Sequence, residues 1–120
     1  MDSILIVLAG VLGMSIALAH GWLGETKVVC LVQGVSHSHK RVLQAVMFLS
    51  AVYWFVGGAV LAASPLYLTA SGQRSSAIVV GAMYLTGALG NAWATRGHHF
   101  GWMLLLIAVV LALYGAWLVD

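Results

Sequence analysis

Histidine carries most of the chemistry this sequence has to offer. The five histidines are His20, His37, His39, His98 and His99. Imidazole ligates Zn, Cu, Ni and haem iron, and it exchanges a proton near neutral pH. "SHSHKR" (Ser36–Arg41) holds a His-x-His pair that would set two rings on one ion in an extended loop. "TRGHHFGW" (Thr95–Trp102) holds an adjacent pair. Neighbouring residues on a helix lie about 100° apart, so His98 and His99 share one partner only if one of them stays in the turn. A bis-histidine haem needs two imidazoles at matched depth on facing helices. His20 with His99 is the pair to expect, His98 being the solvent-facing neighbour. Against ligation stands a simpler reading, in which histidine at a loop–helix junction supplies interfacial polarity and caps backbone groups.

Other reactive groups are scarce. The single cysteine, Cys30, excludes an intrachain disulfide and any paired-cysteine redox enzyme. The three acids are Asp2, Glu25 and Asp120. None falls inside an apolar segment, which excludes a proton-coupled exporter that trades protons at an intramembrane carboxylate. No intramembrane arginine marks an anion channel. The chain is therefore expected to have no catalytic activity.

The elements that position these groups follow from composition. The 120 residues are 62% hydrophobic and only 7% charged, too few charges to cover a soluble domain, and the net charge of +2 does not suggest nucleic acid. A bilayer core of roughly 30 Å needs about 20 apolar helical residues per crossing. Four segments qualify, at about 4–22, 42–63, 77–95 and 100–119. Each must be helical because lipid offers no partner for a free backbone group. The fold class expected is all-α: one integral membrane domain over residues 1–120, built as a four-helix antiparallel bundle. "ALAHG" resembles a signal-peptide cleavage site, but "MDS" lacks the basic start such a peptide needs, so the first segment reads as a span. Lys27, Lys40, Arg41 and Arg96 fall at one end and Arg74 at the other. The positive-inside rule then places both termini, with Asp2 and Asp120, outside.

At the cytoplasmic end a polar band gathers His20, Gln44, Asn91, His98 and His99, with His20 expected to bond Gln44, Asn91 or a carbonyl. Tyr53, Trp54 and Phe55 sit mid-span, where filling between helices is expected. Small residues recur every four positions: Ala9, Gly13, Ala17 and Gly21; Ala82, Thr86, Gly90 and Ala94; Ala108, Ala112 and Ala116; and, in the second span, Gly58 with Ala62. Such stripes let helices approach closely where lipid removes the usual hydrophobic drive. Packing inside one bundle accounts for them, and a stripe left open would be a docking surface.

"AHGWLGETKVV" (Ala19–Val29) and "TRGHHFGWMLLLIAVVLALYG" (Thr95–Gly115) resemble an uncharacterised family of small bacterial four-helix inner-membrane proteins. The resemblance rests on a His-x-x-Leu-Gly-Glu turn (His20, Leu23, Gly24, Glu25), an arginine-led second helix (Arg41) and an Arg-Gly-x-His-x-x-Trp turn (Arg96, Gly97, His99, Trp102). In that family the second helix often opens on a Trp-His pair, where this chain has Met47 and Phe48. The resemblance implies a fold and a bacterial inner membrane, and no activity.

These readings together favour a lipid-embedded accessory or interaction subunit, docked on other membrane chains or on itself and without a cofactor. The alternative is a metal- or haem-binding membrane protein using His20 and His99. Passage of a small solute through a polar vestibule ranks last, because no charged filter is evident.

Overall fold

A computed structural model describes residues 3–119; Asp2 and Asp120 lie outside them. The described residues form four α-helices and no strand: α1 (Ile4–Leu23), α2 (His37–Tyr67), α3 (Ala70–Ala94) and α4 (Gly101–Leu118). All four are long and apolar enough to cross a membrane, and the chain is a multi-pass all-α membrane protein. The helices run alternately up and down in a ring. α1 packs between α2 and α4, and α3 closes the ring against the same two neighbours. The molecule measures 54 × 26 × 17 Å.

The outer two helices keep the expected bounds within a residue, whereas the middle two are longer. α2 starts at His37 because Ser36 caps it, its hydroxyl accepting from the His39 backbone N–H at 3.4 Å. The polar run His37–Arg41 is therefore helical. Two residues apart on a helix, His37 and His39 project about 200° from one another, and His39 Nδ1 lies 2.7 Å from Ser36 Oγ. The extended His-x-His clamp does not form.

At its other end α2 continues past Pro65 to Tyr67. Proline has no N–H for the Leu61 carbonyl four residues back. The buried Ser64 hydroxyl replaces it, donating to Leu61 O at 2.9 Å. The link to α3 shrinks to Leu68 and Thr69, and Thr69 caps α3 by accepting from Gly72 N–H at 3.3 Å. In the first connection α1 runs on into a π-helical turn, Gly24–Val29, where Cys30 N–H donates to Glu25 O at 3.0 Å.

The small-residue stripes divide. Ala9, Gly13 and Ala17 of α1 and Ala108, Ala112 and Ala116 of α4 are buried between helices. Gly21 is half-buried. On α3 the stripe Ala82, Thr86, Gly90, Ala94 is exposed, and a Cβ added at Gly90 would meet nothing within 4 Å. The inward face of α3 is Ala77, Val80, Gly81, Tyr84 and Ala88. Tyr84 decides that rotation. It is fully buried, lies under Gly13 where a Cβ would collide with its hydroxyl, and donates to Trp54 O at 3.0 Å. Of the three mid-span aromatics of α2 only Trp54 fills interior space; Tyr53 and Phe55 are exposed on the bundle's outer surface.

Candidate functional site at the histidine end

His20, Asn91 and His99 line one cavity of about 380 Å³. It is bounded by the end of α1, the π-helical turn, α2 around Met47 and Trp54, the end of α3, and the start of α4. The interior is mostly apolar, with Ile16 and Leu105 buried in its walls. Ala19, Lys27, Val28, His99 and Phe100 also line it and are exposed, so it opens along the end of α1 and the π-helical turn as well as at the start of α4. Gln44 and His98 do not line it.

His20 is set by α2. Its ring packs on Trp54 with centroids 4.5 Å apart and planes at 47°, and its Nε2 lies 3.1 Å from Ser50 Oγ. Ser50 donates its one hydroxyl proton to Met47 O at 2.9 Å, so it receives from His20. The proton of His20 therefore sits on Nε2, and Nδ1 keeps a lone pair. No buried side-chain polar atom among the described residues lacks a partner, and Nδ1, which makes no protein hydrogen bond there, is accordingly reachable from outside the ring.

The partner expected for His20 was Gln44, Asn91 or a carbonyl; the structure supplies Ser50 instead. Gln44 Nε2 donates to Glu25 Oε1 at 3.0 Å, tying α2 to the π-helical turn. Asn91 Nδ2 donates to Gly87 O of its own helix at 3.1 Å. Ser50 and Trp54 are the residues sequence reading missed. The available signal was their spacing, since Met47, Ser50 and Trp54 recur at three and four residues along one side of α2.

His99 is held in the turn before α4. The Gly101 backbone N–H donates to His99 Nδ1 at 3.1 Å, and the ring stacks on Phe100 at 5.3 Å and 15°. A nitrogen that accepts from a backbone N–H carries no proton, so the proton of neutral His99 is on Nε2. The turn itself ends α3 in a Schellman arrangement: Gly97 N–H donates to Ala92 O at 2.8 Å and Arg96 N–H to Trp93 O at 3.2 Å. Arg96 takes the left-handed position at φ 49°, followed by Gly97 at φ 76°. His98 is exposed, its Nδ1 3.2 Å from Thr95 O.

The hydrogen bonds test the residues against a metal or haem. Ligation by His99 Nε2 would require its proton to move to Nδ1, where the Gly101 N–H already points. Among the described residues no three His, Cys, Asp or Glu side chains gather in a set that could hold an ion. The pair offers instead one lone pair, on His20, and one N–H, on His99. The arrangement suits hydrogen bonding to a polar organic group. No carboxylate lines the cavity, and its ionisable members are Lys27, His20 and His99.

Both turns behind the family resemblance build this cavity: His20, Leu23 and Gly24 line it from one side, His99 and Gly101 from the other. Compared with family models, curated proteins and solved structures, the chain matches none.

Proposed function

We propose that this chain is a non-catalytic protein of the bacterial inner membrane that holds a small amphipathic molecule in the His20–His99 cavity. One observation carries the reading: an apolar cavity of about 380 Å³ at the histidine end of the bundle is lined by only a few polar side chains, His20, Lys27, Asn91, Thr95 and His99. Binding sites for small molecules have this size and this mixture of apolar wall and few polar contacts. Lys27, Lys40, Arg41 and Arg96 lie at the cavity end and Arg74 at the other, which favours a cytoplasmic mouth and outward termini. The likeness of the two turns to the bacterial family is the ground for the inner membrane.

The test is recovery of the ligand. Protein purified in mild detergent, extracted with organic solvent and examined by mass spectrometry should yield one lipophilic species in stoichiometric amount. A Leu105→Trp variant, which fills the chamber, should yield none. Equal recovery from both proteins would place the lipid elsewhere and sink the reading. A metal or haem at His20 and His99 would show in elemental analysis and a visible absorption spectrum of the same sample.

A second reading keeps the accessory role. The open stripe Ala82–Thr86–Gly90–Ala94 on α3 would seat a second copy of this chain by close helix contact. Cysteine cross-linking at Gly90 in native membranes tests it, and a chain that stays monomeric there contradicts it.

A further inference from the structure

We infer that the π-helical turn Gly24–Val29 is a lid on the histidine-end cavity, hinged where α1 ends and latched to α2 by the hydrogen bond between Gln44 and Glu25. The inference rests on the cavity being a binding site and adds how that site is opened.

The turn borders the cavity. Gly24, Lys27 and Val28 line it, and Leu23, the last residue of α1, continues the same wall. Lys27 and Val28 are exposed, and so belong to the rim of the opening. The turn packs on α1 and α2. Among the described residues its side-chain hydrogen bonds also go to those two helices alone, from Thr26 to Trp22 O and from Gln44 to Glu25. An outward swing of the turn therefore breaks no side-chain hydrogen bond to α3 or α4.

Its winding makes the turn the weak point of the chain around the cavity. Cys30 N–H reaches five residues back, to Glu25 O, at 3.0 Å. Such winding is rare and occurs mostly as a single turn, often at a functional site. The Thr26 hydroxyl donates to Trp22 O at 2.8 Å, and a hydroxyl bonded four residues back in this way loosens and bends a helix. Beyond the turn, residues 30–36 form no helix, and Gly34 stands at φ 76°. The far end of the turn is thus tied to α2 by irregular chain. A segment held by few contacts opens locally at less cost than the whole fold.

Two residues of α2 keep it closed. Gln44 Nε2 donates to Glu25 Oε1 at 3.0 Å on the exposed surface. Met47, three residues on and on the same side of the helix, lies over Gly24, where an added Cβ would collide with its Cε. Closure has a marker in Val29. It is fully buried, while its neighbours Val28 and Cys30 are exposed. Release of the turn uncovers Val29.

The experiment labels the full chain in phosphatidylcholine nanodiscs with a water-soluble maleimide. The native Cys30 sets the rate for an exposed thiol at this place. Val29→Cys in a Cys30→Ser background reports opening and should label much more slowly. Adding Gln44→Ala should speed that labelling roughly fivefold, as expected for one lost hydrogen bond. Gln44→Glu sets two carboxylates together and should speed it further. Glu25→Gln combined with Gln44→Glu exchanges donor and acceptor, and should restore the slow rate. Detergent unfolding midpoints should stay unchanged throughout. Three results would each overturn the lid: labelling at Val29→Cys as fast as at Cys30, a rate indifferent to Gln44, or a rise matched by an equal loss of bundle stability. A swapped pair that stays fast would overturn the latch. Labelling needs no ligand, so the lid fails or stands by these rates and the binding site by ligand recovery.

Discussion

Replacing Gly10 with alanine puts one methyl group where α1 and α2 have no room for it. The added Cβ would lie 2.5 Å from the Gly58 carbonyl oxygen and 2.6 Å from the Ala62 nitrogen. Both are backbone atoms, so no rotamer change relieves the collision. Seen from α2, a Cβ on Gly58 would meet Gly10 O at 2.6 Å and Met14 N at 2.9 Å. Carbon contacts settle at about 3.5–4.0 Å, so the helices must part by roughly 1 Å, and a gap of that size forfeits about a quarter to a half of each dispersion contact at the crossing. Overpacking costs about 1–3 kcal/mol in general. A backbone-to-backbone collision belongs in the upper part of that range. Gly90→Ala is the control: with nothing within 4 Å of the new methyl, only helix propensity changes, a gain of about 0.5–1 kcal/mol. Titration with sodium dodecyl sulfate in mixed micelles, followed by far-UV circular dichroism, measures both. Gly10→Ala should unfold earlier than the parent chain and Gly90→Ala slightly later. Equal stability of the two variants would refute the close approach of α1 and α2 at Gly10 and Gly58.

Ser64→Ala should cost about 1 kcal/mol by leaving the Leu61 carbonyl short of a donor, and much less in a Pro65→Ala background, where a backbone N–H returns; a double-mutant cycle in the same micelles reads the coupling. Arg74 donates to Ala116 O at 3.3 Å and to Val119 O at 2.6 Å, holding carbonyls at the end of α4. Arg74→Ala should therefore raise amide exchange at that end and leave the histidine end unchanged, as hydrogen-exchange mass spectrometry would show. Arg96→Gly removes a non-glycine residue from φ 49° and should stabilise by about 1 kcal/mol, measured by the same detergent titration. A Cβ at Gly101 would stand 2.8 Å from His99 Cε1 and Nδ1. Gly101→Ala should turn the exposed ring away and lower the amount of lipophilic ligand that co-purifies with the chain, with little change in stability, which separates the ring's position from its presence.

The readings that came through as expected are those in which local chemistry is decisive. Four apolar stretches must be helices in lipid, and the Arg96–His99 turn is too short for α3 and α4 to be anything but antiparallel neighbours. Gly97 in the turn was legible too, because a left-handed position favours glycine. The ends of α2 and α3 were less legible. Polar residues such as His37–Arg41 and Ser71–Ser76 read as loop by hydropathy, yet the Ser36 and Thr69 caps make helix the better state for them. Gly10, the tightest point of the α1–α2 crossing, was hidden among the more regular stripe of Ala9, Gly13 and Ala17. Its role depends on meeting Gly58, and no local pattern pairs them.

For the site, the expected polar band of His20, Gln44, Asn91, His98 and His99 rested on span ends read from hydropathy, and three of the five, His20, Asn91 and His99, line the cavity. Which of them meet, and through which atoms, belonged to tertiary structure. The rotation of α3 was set by Tyr84 settling under Gly13, which turned the Ala82–Gly90 stripe outward and brought Tyr84 to the Trp54 carbonyl. Trp54 in turn supports the ring of His20, and Ser50 Oγ lies 3.1 Å from its Nε2 as the hydrogen-bond partner. A histidine's tautomer is decided by its neighbours across helix contacts thirty residues away in the chain. Periodicity could place the two imidazoles at the same end of the bundle, but only packing could make one an acceptor and the other a donor.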